Sequence, residues 1–198
     1  GIAKGYAVDC VFDRLRAARE TNFLINLGGN IRACGTPGAD RDGWRIGVRD
    51  PFRRDGLLGT VTLADGEAVA TSGNYERFVE LAGTRYAHII DPRSGRPVRG
   101  MAGVTVLAPT AAAADALSTT LFVLGAEEGR RLLERTPGCH ALWVTDETPP
   151  RLIPSPGFAV RFVPAPKPAG TGPAPPVPPK PAAAGGGGTA SVSSGPQA

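Results

Sequence analysis

Three oxygen-bearing side chains share one face of a predicted helix. Asp115, Ser118 and Thr119 stand at positions i, i+3 and i+4 of a stretch that is otherwise almost wholly apolar or small, and this spacing places them on one side of an α-helix. One carboxylate and two hydroxyls are hard ligands that Mg²⁺ accepts, together with waters and substrate phosphates. The alternative is a solvated helix face whose hydroxyls bond back to helix carbonyls. The apolar surroundings favour the metal site.

Two glycine-containing segments could approach a phosphate group. Residues 1–9 lead into a helix, and free N–H groups at a helix start, with Lys4 beside them, suit an anion. Gly28 and Gly29 follow a predicted strand and allow close approach of the backbone to a ligand. Each segment also has an ordinary interpretation, as a helix start with a surface lysine and as a tight turn. Taken singly, both segments favour the ordinary interpretation.

Another region combines hydroxyls with a histidine. A Thr-Ser-Gly sequence at 71–73 precedes a predicted hairpin, and His88 stands near the end of that hairpin. An imidazole titrates near neutral pH, so His88 could take the proton of an attacking hydroxyl. It could equally be a satisfied strand histidine that precedes a turn at 91–95. The residues leave both interpretations open, whereas His140, the other histidine, is assigned a structural role.

The elements that must position these residues predict an α+β fold. Helices are expected over 4–20, over 111–124 with Thr110 as N-cap and Gly125 just past the end, and over about 127–135. Alternating apolar residues predict strands at 23–27, 44–48, 61–63, 103–108, 141–145, 151–153 and 158–162, and a hairpin from 75 to 91. Strands and helices are not regularly interleaved, which argues against a doubly wound sheet.

Composition divides the chain into two predicted parts, 1–163 and 164–198. The second contains ten Pro, eight Ala and seven Gly, so we expect a disordered tail. Its only charges are Lys167 and Lys180, so the net charge of +4 falls to +2 for the first part. No basic cluster interleaved with aromatic residues accompanies that charge, which argues against nucleic acid as a partner. No apolar run approaches the roughly 18–20 residues of a membrane-spanning helix, so no transmembrane segment is expected.

In combination, five segments resemble the ApbE family of flavin transferases. They are GIAKGYAVD (1–9), NLGGNIRACG (26–35), AVATSGNYERF (68–78), HIIDPRSGRPV (88–98) and TVLAPTAAAADALSTTLFVLG (105–125), in the family's order and spacing. The resemblance covers about residues 1–163 and implies an α+β fold related to the T-fold class. It also implies Mg²⁺-dependent transfer of FMN from FAD to a Thr or Ser hydroxyl of an acceptor protein, with release of AMP.

The resemblance implies roles for individual residues. His88 would be the catalytic base. The metal ligands would be Ala3, through its backbone carbonyl, with Asp115, Ser118 and Thr119. The loops around the diphosphate would contain Gly28, Gly29, Thr71, Ser72 and Gly73. The remaining contacts to FAD would come from Lys4, Tyr6, Asp9, His88, Ile89 and Ile90.

The resemblance leaves the extent and the setting of the activity open. Family members carry a long portion before the first motif, so a chain that starts at Gly1 is expected to have unpaired sheet edges and an incomplete FAD site. The acceptor protein is expected to carry a Ser/Thr-Gly-Ala-Ser/Thr motif. By family analogy the location is periplasmic or membrane-tethered through a lipid, or alternatively cytoplasmic. Two other hypotheses stand beside transfer: an FAD-binding or FAD-hydrolysing protein without protein flavinylation, and an inactive fragment.

Overall fold

A computed structural model describes residues 2–38, 41–53, 55–74, 78–81, 84–87 and 89–166, with only the backbone described at 78–81 and 84–87. Within these ranges the chain forms three helices and thirteen strands, and the strand pairs are antiparallel. The predicted α+β fold is therefore confirmed. The elements are α1 Ala3–Ala17, β1 Phe23–Leu27, β2 Asn30–Cys34, β3 Trp44–Arg49, β4 Leu57–Leu63, β5 Ala68–Gly73, β6 Phe78–Leu81, β7 Thr84–Ala87, β8 Ile90–Asp91, β9 Arg96–Pro97, β10 Met101–Ala108, α2 Ala111–Leu133, β11 His140–Thr145, β12 Leu152–Pro154, α3 Pro156–Ala159 and β13 Phe162–Pro164.

The strands form one large sheet and three small ones. The large sheet has the order β1-β2-β5-β10-β11-β12, and a three-stranded sheet has the order β13-β4-β3. Two hairpins, β6-β7 and β8-β9, lie between β5 and β10 in the sequence. The long connection from β5 to β10 therefore contains the whole segment in which His88 stands.

Apolar residues on both faces of the large sheet make two cores. Alternate residues of β5 and β10, such as Ala70 and Val104, pack with Val8 of α1 and Leu121 of α2. The intervening residues, such as Val69, pack against the three-stranded sheet. Because side chains alternate along a strand, β5, β10 and β11 contribute residues to both cores. The described chain is thus a three-layer arrangement of helices, large sheet and small sheet.

Helices α1 and α2 are in close contact at Gly5. Gly5 is buried, and a Cβ built on it would lie 2.7 Å from the carbonyl carbon of Ala111 and 2.8 Å from Cα of Ala112. Such contacts are with backbone atoms that cannot rotate away. A residue without a side chain is therefore required where the first turn of α1 crosses the start of α2.

Asp9 joins three elements. Its Oδ1 accepts hydrogen bonds from the backbone N–H of Ala111 (2.8 Å) and from the guanidinium of Arg32 (2.8 Å), and its Oδ2 accepts one from Ala112 (2.9 Å). A carboxylate at the N-terminus of a helix is favoured by the free N–H groups and by the helix dipole. Asp9 therefore caps α2 from α1 and ties both helices to β2.

Helix α2 contains the predicted break at Gly125. Thr110 caps the helix by accepting a hydrogen bond from Ala113, as the sequence predicts. Gly125 has φ 73° and ψ −176°, which is not helical, so two helical segments meet there at a kink. The two helices predicted over 111–124 and 127–135 are these two segments, brought together in one element that ends at Leu133.

One predicted strand is wrong. A strand was expected over 158–162, but Pro156–Ala159 forms α3, and Phe162–Pro164 forms β13 against β4. The reason is local, since Pro at the first helical position has its φ angle preset for a helix and lacks the N–H that would be unpaired there. Residues 167–198, most of the predicted tail, lie outside the described residues.

Among the described helices, none combines the length and hydropathy needed to cross a bilayer. Cys10, Cys34 and Cys139 are free thiols, and desolvation raises the pKa of Cys139, with a smaller contribution from the charge of Glu67.

Replacement of Gly5 tests the helix crossing. Gly5→Ala should lower the free energy of unfolding by about 1–3 kcal/mol, because the added methyl group forces two backbones apart. Urea unfolding followed by circular dichroism measures the loss. Asp13→Ala, on the exposed side of the same helix, is the matched control and should change stability by less than about 0.5 kcal/mol. A Gly5→Ala protein as stable as wild type would contradict the close crossing.

Replacement of Asp9 tests the three-way junction. Asp9→Asn keeps the shape of the side chain but leaves the guanidinium of Arg32, which is 12% exposed, without its anion. We expect a loss of about 3 kcal/mol, as for other largely buried ion pairs that lose one partner. Thermal unfolding compares it with Asp13→Asn, an exposed carboxylate four residues further along α1. Equal stability of the two variants would show that the junction contributes nothing.

Candidate functional site

The predicted metal-binding face of α2 is buried, and α1 contacts it. Asp115 is 6% exposed and Ser118 is 1% exposed, so the alternative of a solvated helix face is wrong for these two residues. Oδ2 of Asp115 accepts a hydrogen bond of 2.9 Å from the backbone N–H of Gly5. This bond brings the first turn of α1, which begins at the exposed Ala3, against the carboxylate. The structure thus brings together the helix start and the helix face that the sequence singled out separately.

Ser72 of β5 joins the hydroxyls of this face. Its Oγ lies 2.8 Å from Oγ of Ser118 and 3.1 Å from Oγ1 of Thr119. Ser118 also donates to the carbonyl oxygen of Asp115 at 3.0 Å, which is the back-bonding of the alternative interpretation. The helix face therefore presents one carboxylate and two hydroxyls, and the hydroxyl of Ser72 contacts both of these hydroxyls across the boundary between helix and sheet.

The donor set fits Mg²⁺ better than Zn²⁺. Within the described residues no group of three or more His, Cys, Asp or Glu could hold a metal ion. One carboxylate, hydroxyls and a backbone carbonyl are hard oxygen donors, and Mg²⁺ is commonly bound by one or two carboxylates together with waters and substrate phosphates. Zinc sites instead use several His or Cys ligands. The residues present are therefore compatible with a magnesium ion shared with a phosphate-containing substrate.

Thr71, Ser72 and Gly73 lie in a strand, which corrects the expected loop. They are the last three residues of β5, and Thr71 pairs with Thr105 and Ser72 with Val104 of β10. Consecutive strand residues point to opposite faces. Ser72 therefore faces α2, whereas Oγ1 of Thr71 bonds to Oγ1 of Thr105 at 2.9 Å on the other face of the sheet. The two side chains therefore lie on different faces of the large sheet, and their contact with FAD remains a prediction.

A pocket of about 740 Å³ lies on that other face, between the large sheet and β3. Lys4, Gly28, Gly29 and Thr71, four of the predicted FAD contacts, line it together. The other lining residues are Leu24, Asn26, Ile31, Arg45, Ile46, Gly47, Val48, Arg49, Val69 and Thr105. The structure thus confirms that these four predicted residues are neighbours, although their role is not thereby tested.

Arg45 and Arg49 are candidate residues that the sequence analysis missed. Both are exposed on β3, and they line the pocket with Lys4, while no acidic side chain is among the described lining residues. The signal was their alternation in Trp-Arg-Ile-Gly-Val-Arg, which puts both on one face of a strand. Their relation to Lys4 depends on how two sheets pack, and no local pattern reports this.

The glycine segment forms the tight turn of its ordinary interpretation, and its approach to a ligand stays a prediction. Gly28 and Gly29 have φ angles of 57° and 87° and form the two-residue turn between β1 and β2. Two consecutive residues with positive φ are typical of the tight hairpin turn in which glycine is favoured. A Cβ on Gly29 would meet no atom within 4 Å, so the turn is also open toward the pocket. Nζ of Lys4 lies 3.4 Å from the carbonyl oxygen of Gly28, which keeps the lysine at the pocket's rim.

Two other predicted contacts in the first motif lie elsewhere. Both oxygens of Asp9 are engaged in the junction with α2 and Arg32. Tyr6 is 65% exposed, and a hydrogen bond with Cys10 raises the pKa of its hydroxyl. Neither residue lines the pocket formed by the described residues. Their assignment to the flavin nucleotide stays a prediction that this geometry does not support directly.

The predicted base lies outside the described residues. His88 itself is not described, but Ile89 is 9% exposed and packs in the helix-side core, whereas Ile90 is 46% exposed. The turn that follows is held by Asp91, which accepts hydrogen bonds from the backbone N–H and the guanidinium of Arg93. Those bonds lower the pKa of Asp91. The predicted turn at 91–95 is thus confirmed, and the role of His88 stays a prediction.

Comparison with known proteins agrees with the fold and with the motifs. The model of the ApbE family matches residues 1–143. An FAD:protein FMN transferase of Rhodobacter capsulatus is 41% identical over 145 residues, which are 73% of this chain and 27% of that protein. A protein of the same name from Klebsiella pneumoniae (strain 342) is 41% identical over 146 residues, 73% of this chain and 44% of the relative.

Two solved structures extend the agreement to three dimensions. The ApbE protein of Thermotoga maritima has a TM-score of 0.69 and 38% identity, and the match covers 81% of this chain and 51% of that one. The apo form of the Pseudomonas stutzeri flavinyl transferase ApbE has a TM-score of 0.67 and 39% identity, with 81% and 50% covered. This chain therefore spans about half, or less, of the length of these relatives. The match of the family model to most of the chain, together with these likenesses, shows that the chain belongs to the ApbE family.

Proposed function

We propose that the chain carries the metal and phosphate machinery for Mg²⁺-dependent transfer of FMN from FAD to a Ser or Thr hydroxyl of an acceptor protein, with release of AMP. The names of the relatives, FAD:protein FMN transferase, support flavin transfer to a protein. The single observation that carries the proposal is the buried carboxylate of Asp115, fixed by the N–H of Gly5 beside three hydroxyls. The first turn of α1 connects this site with the cationic pocket through Lys4.

Charge in the pocket supports a diphosphate as ligand. Lys4, Arg45 and Arg49 are three cations on the wall, and among the described residues none of them forms an ion pair with a carboxylate. The diphosphate of FAD carries two negative charges, and charge-assisted hydrogen bonds to phosphate are among the stronger ones in proteins. A concave cationic surface also raises the local concentration of anionic ligands. The pocket therefore suits the phosphate-containing middle of a dinucleotide.

Asp115 and Thr119, with Ser118 and the carbonyl of Ala3, would hold the metal ion. A bound Mg²⁺ supplies positive charge against the oxygens of the diphosphate and of the departing AMP. Gly5 fixes one oxygen of Asp115, so the carboxylate is oriented before any ligand arrives. Pre-orientation of this kind lowers the reorganisation needed at the moment of reaction.

The proposed reaction exchanges one phosphorus–oxygen bond for another. The oxygen of the acceptor hydroxyl bonds to the FMN-side phosphorus, the bond from that phosphorus to the AMP oxygen breaks, and AMP leaves with the electron pair. The proton of the hydroxyl goes to a base, for which His88 is the predicted residue. Little covalent work falls to the protein, because positioning and electrostatics supply most of the catalysis in phosphoryl transfer.

Replacement of Asp115 tests the metal site. Asp115→Asn keeps an oxygen to accept from Gly5 but removes the negative charge, so we expect flavin transfer to fall by about 100-fold or more. The assay follows a fluorescent covalent flavin on a peptide with a Ser/Thr-Gly-Ala-Ser/Thr core, with FAD and Mg²⁺ present. Asp13→Asn is the matched control and should keep full activity. Undiminished transfer by Asp115→Asn would remove the metal assignment.

The same assay separates the proposed function from its rivals. Covalent flavin on the peptide supports transfer. Free FMN with an unlabelled peptide identifies an FAD-hydrolysing protein. FAD binding without either product identifies a binding protein, and no FAD binding identifies an inactive fragment.

Charge reversal at Arg45 tests the cationic pocket. Arg45→Glu should weaken FAD binding by about 10-fold, which corresponds to about 1.4 kcal/mol, and high salt should reduce the difference because the contact is exposed. Quenching of flavin fluorescence measures the affinity. Arg135→Glu, an exposed position outside the pocket, is the control for the change in net charge. Equal weakening by both variants would mean that no specific contact exists at Arg45.

A further inference from the structure

Counting the hydroxyl protons beside Asp115 assigns the donor and the acceptor in each hydrogen bond. Each hydroxyl has one proton to donate, whereas a backbone carbonyl only accepts. Ser118 donates to the carbonyl oxygen of Asp115 at 3.0 Å, so in its 2.8 Å contact with Ser72 it is the acceptor and Ser72 is the donor. The single proton of Ser72 is then used. In the 3.1 Å contact between Ser72 and Thr119, Thr119 must be the donor.

This order fixes what Thr119 presents to a ligand. Its proton is directed at Ser72, so both lone pairs of Oγ1 are turned away from that bond and are left to accept or to bind a cation. Thr120 shows the behaviour that a helical threonine adopts without such a partner. Its Oγ1 donates to the carbonyl oxygen of Ala116 at 2.9 Å, one turn earlier in the helix. Ser72 is therefore what directs the neighbouring Thr119 differently.

We propose that Ser72 is a positioning residue that orients the hydroxyl of Thr119 as a metal ligand, rather than a contact to the diphosphate. The inference rests on the proposed function, because it takes Thr119 and Asp115 as the residues that hold Mg²⁺. Ser72 belongs to β5, which pairs with β10 over its whole length and with β2 at Ala68 and Val69. A hydroxyl on such a strand is a fixed reference for the side chains of the helix above it. Groups that orient metal ligands typically change metal affinity by 10–100-fold when they are removed.

Metal affinity in the absence of FAD tests this role directly. Mn²⁺ is the probe, its free fraction is measured by electron paramagnetic resonance, and Mg²⁺ is the competitor. Ser72→Ala should bind Mn²⁺ at least 10-fold more weakly than the wild-type chain. Ser72→Thr keeps a hydroxyl and should recover most of that affinity, since threonine is well suited to a strand. Thr120→Ala removes a hydroxyl one residue from Thr119 and should bind as the wild type does.

The variants separate this inference from the proposed metal site. If Asp115→Ala loses Mn²⁺ binding while Ser72→Ala keeps the wild-type affinity, the metal site stands and the role of Ser72 is wrong. If Ser72→Thr binds Mn²⁺ as weakly as Ser72→Ala does, the missing hydroxyl is not the cause of the lost affinity, and the inference is wrong. If Asp115→Ala binds as the wild type does, both proposals fall. Unfolding midpoints measured without metal show whether each variant is folded. The inference is supported if Ser72→Ala is folded but binds Mn²⁺ more weakly, and if Ser72→Thr recovers the affinity.

Discussion

The hydrogen bond from the Gly5 N–H to the Asp115 carboxylate is the contact on which the site depends. It requires that two helices approach within the space left by a missing side chain, because a Cβ on Gly5 would overlap the backbone of α2. The carboxylate of Asp9 holds the same crossing by capping α2 from α1. Thus a buried charge at Asp115 is balanced by a backbone dipole and held by the start of a helix, which is the arrangement that keeps a lone carboxylate oriented.

The large sheet separates the candidate metal-binding residues from the pocket. The helix face has the carboxylate and the ordered hydroxyls, and the opposite face has the pocket with Lys4, Arg45 and Arg49. Lys4 connects the two because it belongs to the first turn of α1 and reaches the turn between β1 and β2. A ligand with phosphates at its centre could extend along the end of the sheet where these elements meet. The proposed transfer reaction needs metal and phosphate contacts to the same ligand.

Local patterns predicted the geometry of the candidate site well where the residues belong to one element. The period of α2 placed Asp115, Ser118 and Thr119 on one face, and the cap at Thr110 was predicted from a single side chain. Patterns failed where neighbours in space decide. Strands β2 and β5 were missed because small and polar residues hide their alternation. Arg45 and Arg49 became candidates only in the folded structure, where they line the same pocket as Lys4. At 156–159 the apolar residues suggested a strand, but the proline at the first helical position favours the helix that forms there.

The opposite orientation of Thr71 and Ser72 has a consequence for how the chain can vary. The register of β5 against β10, in which Thr71 pairs with Thr105 and Ser72 with Val104, decides which face of the sheet each side chain occupies. A shift of this register by one residue would invert the strand's alternation, so Thr71 would lie beneath α2 and Ser72 would face the pocket. The two hydroxyls would exchange faces in a single event, and a β-branched threonine would replace the serine beside Ser118 and Thr119. The register of this strand pair is therefore as important to the candidate site as any of its side chains.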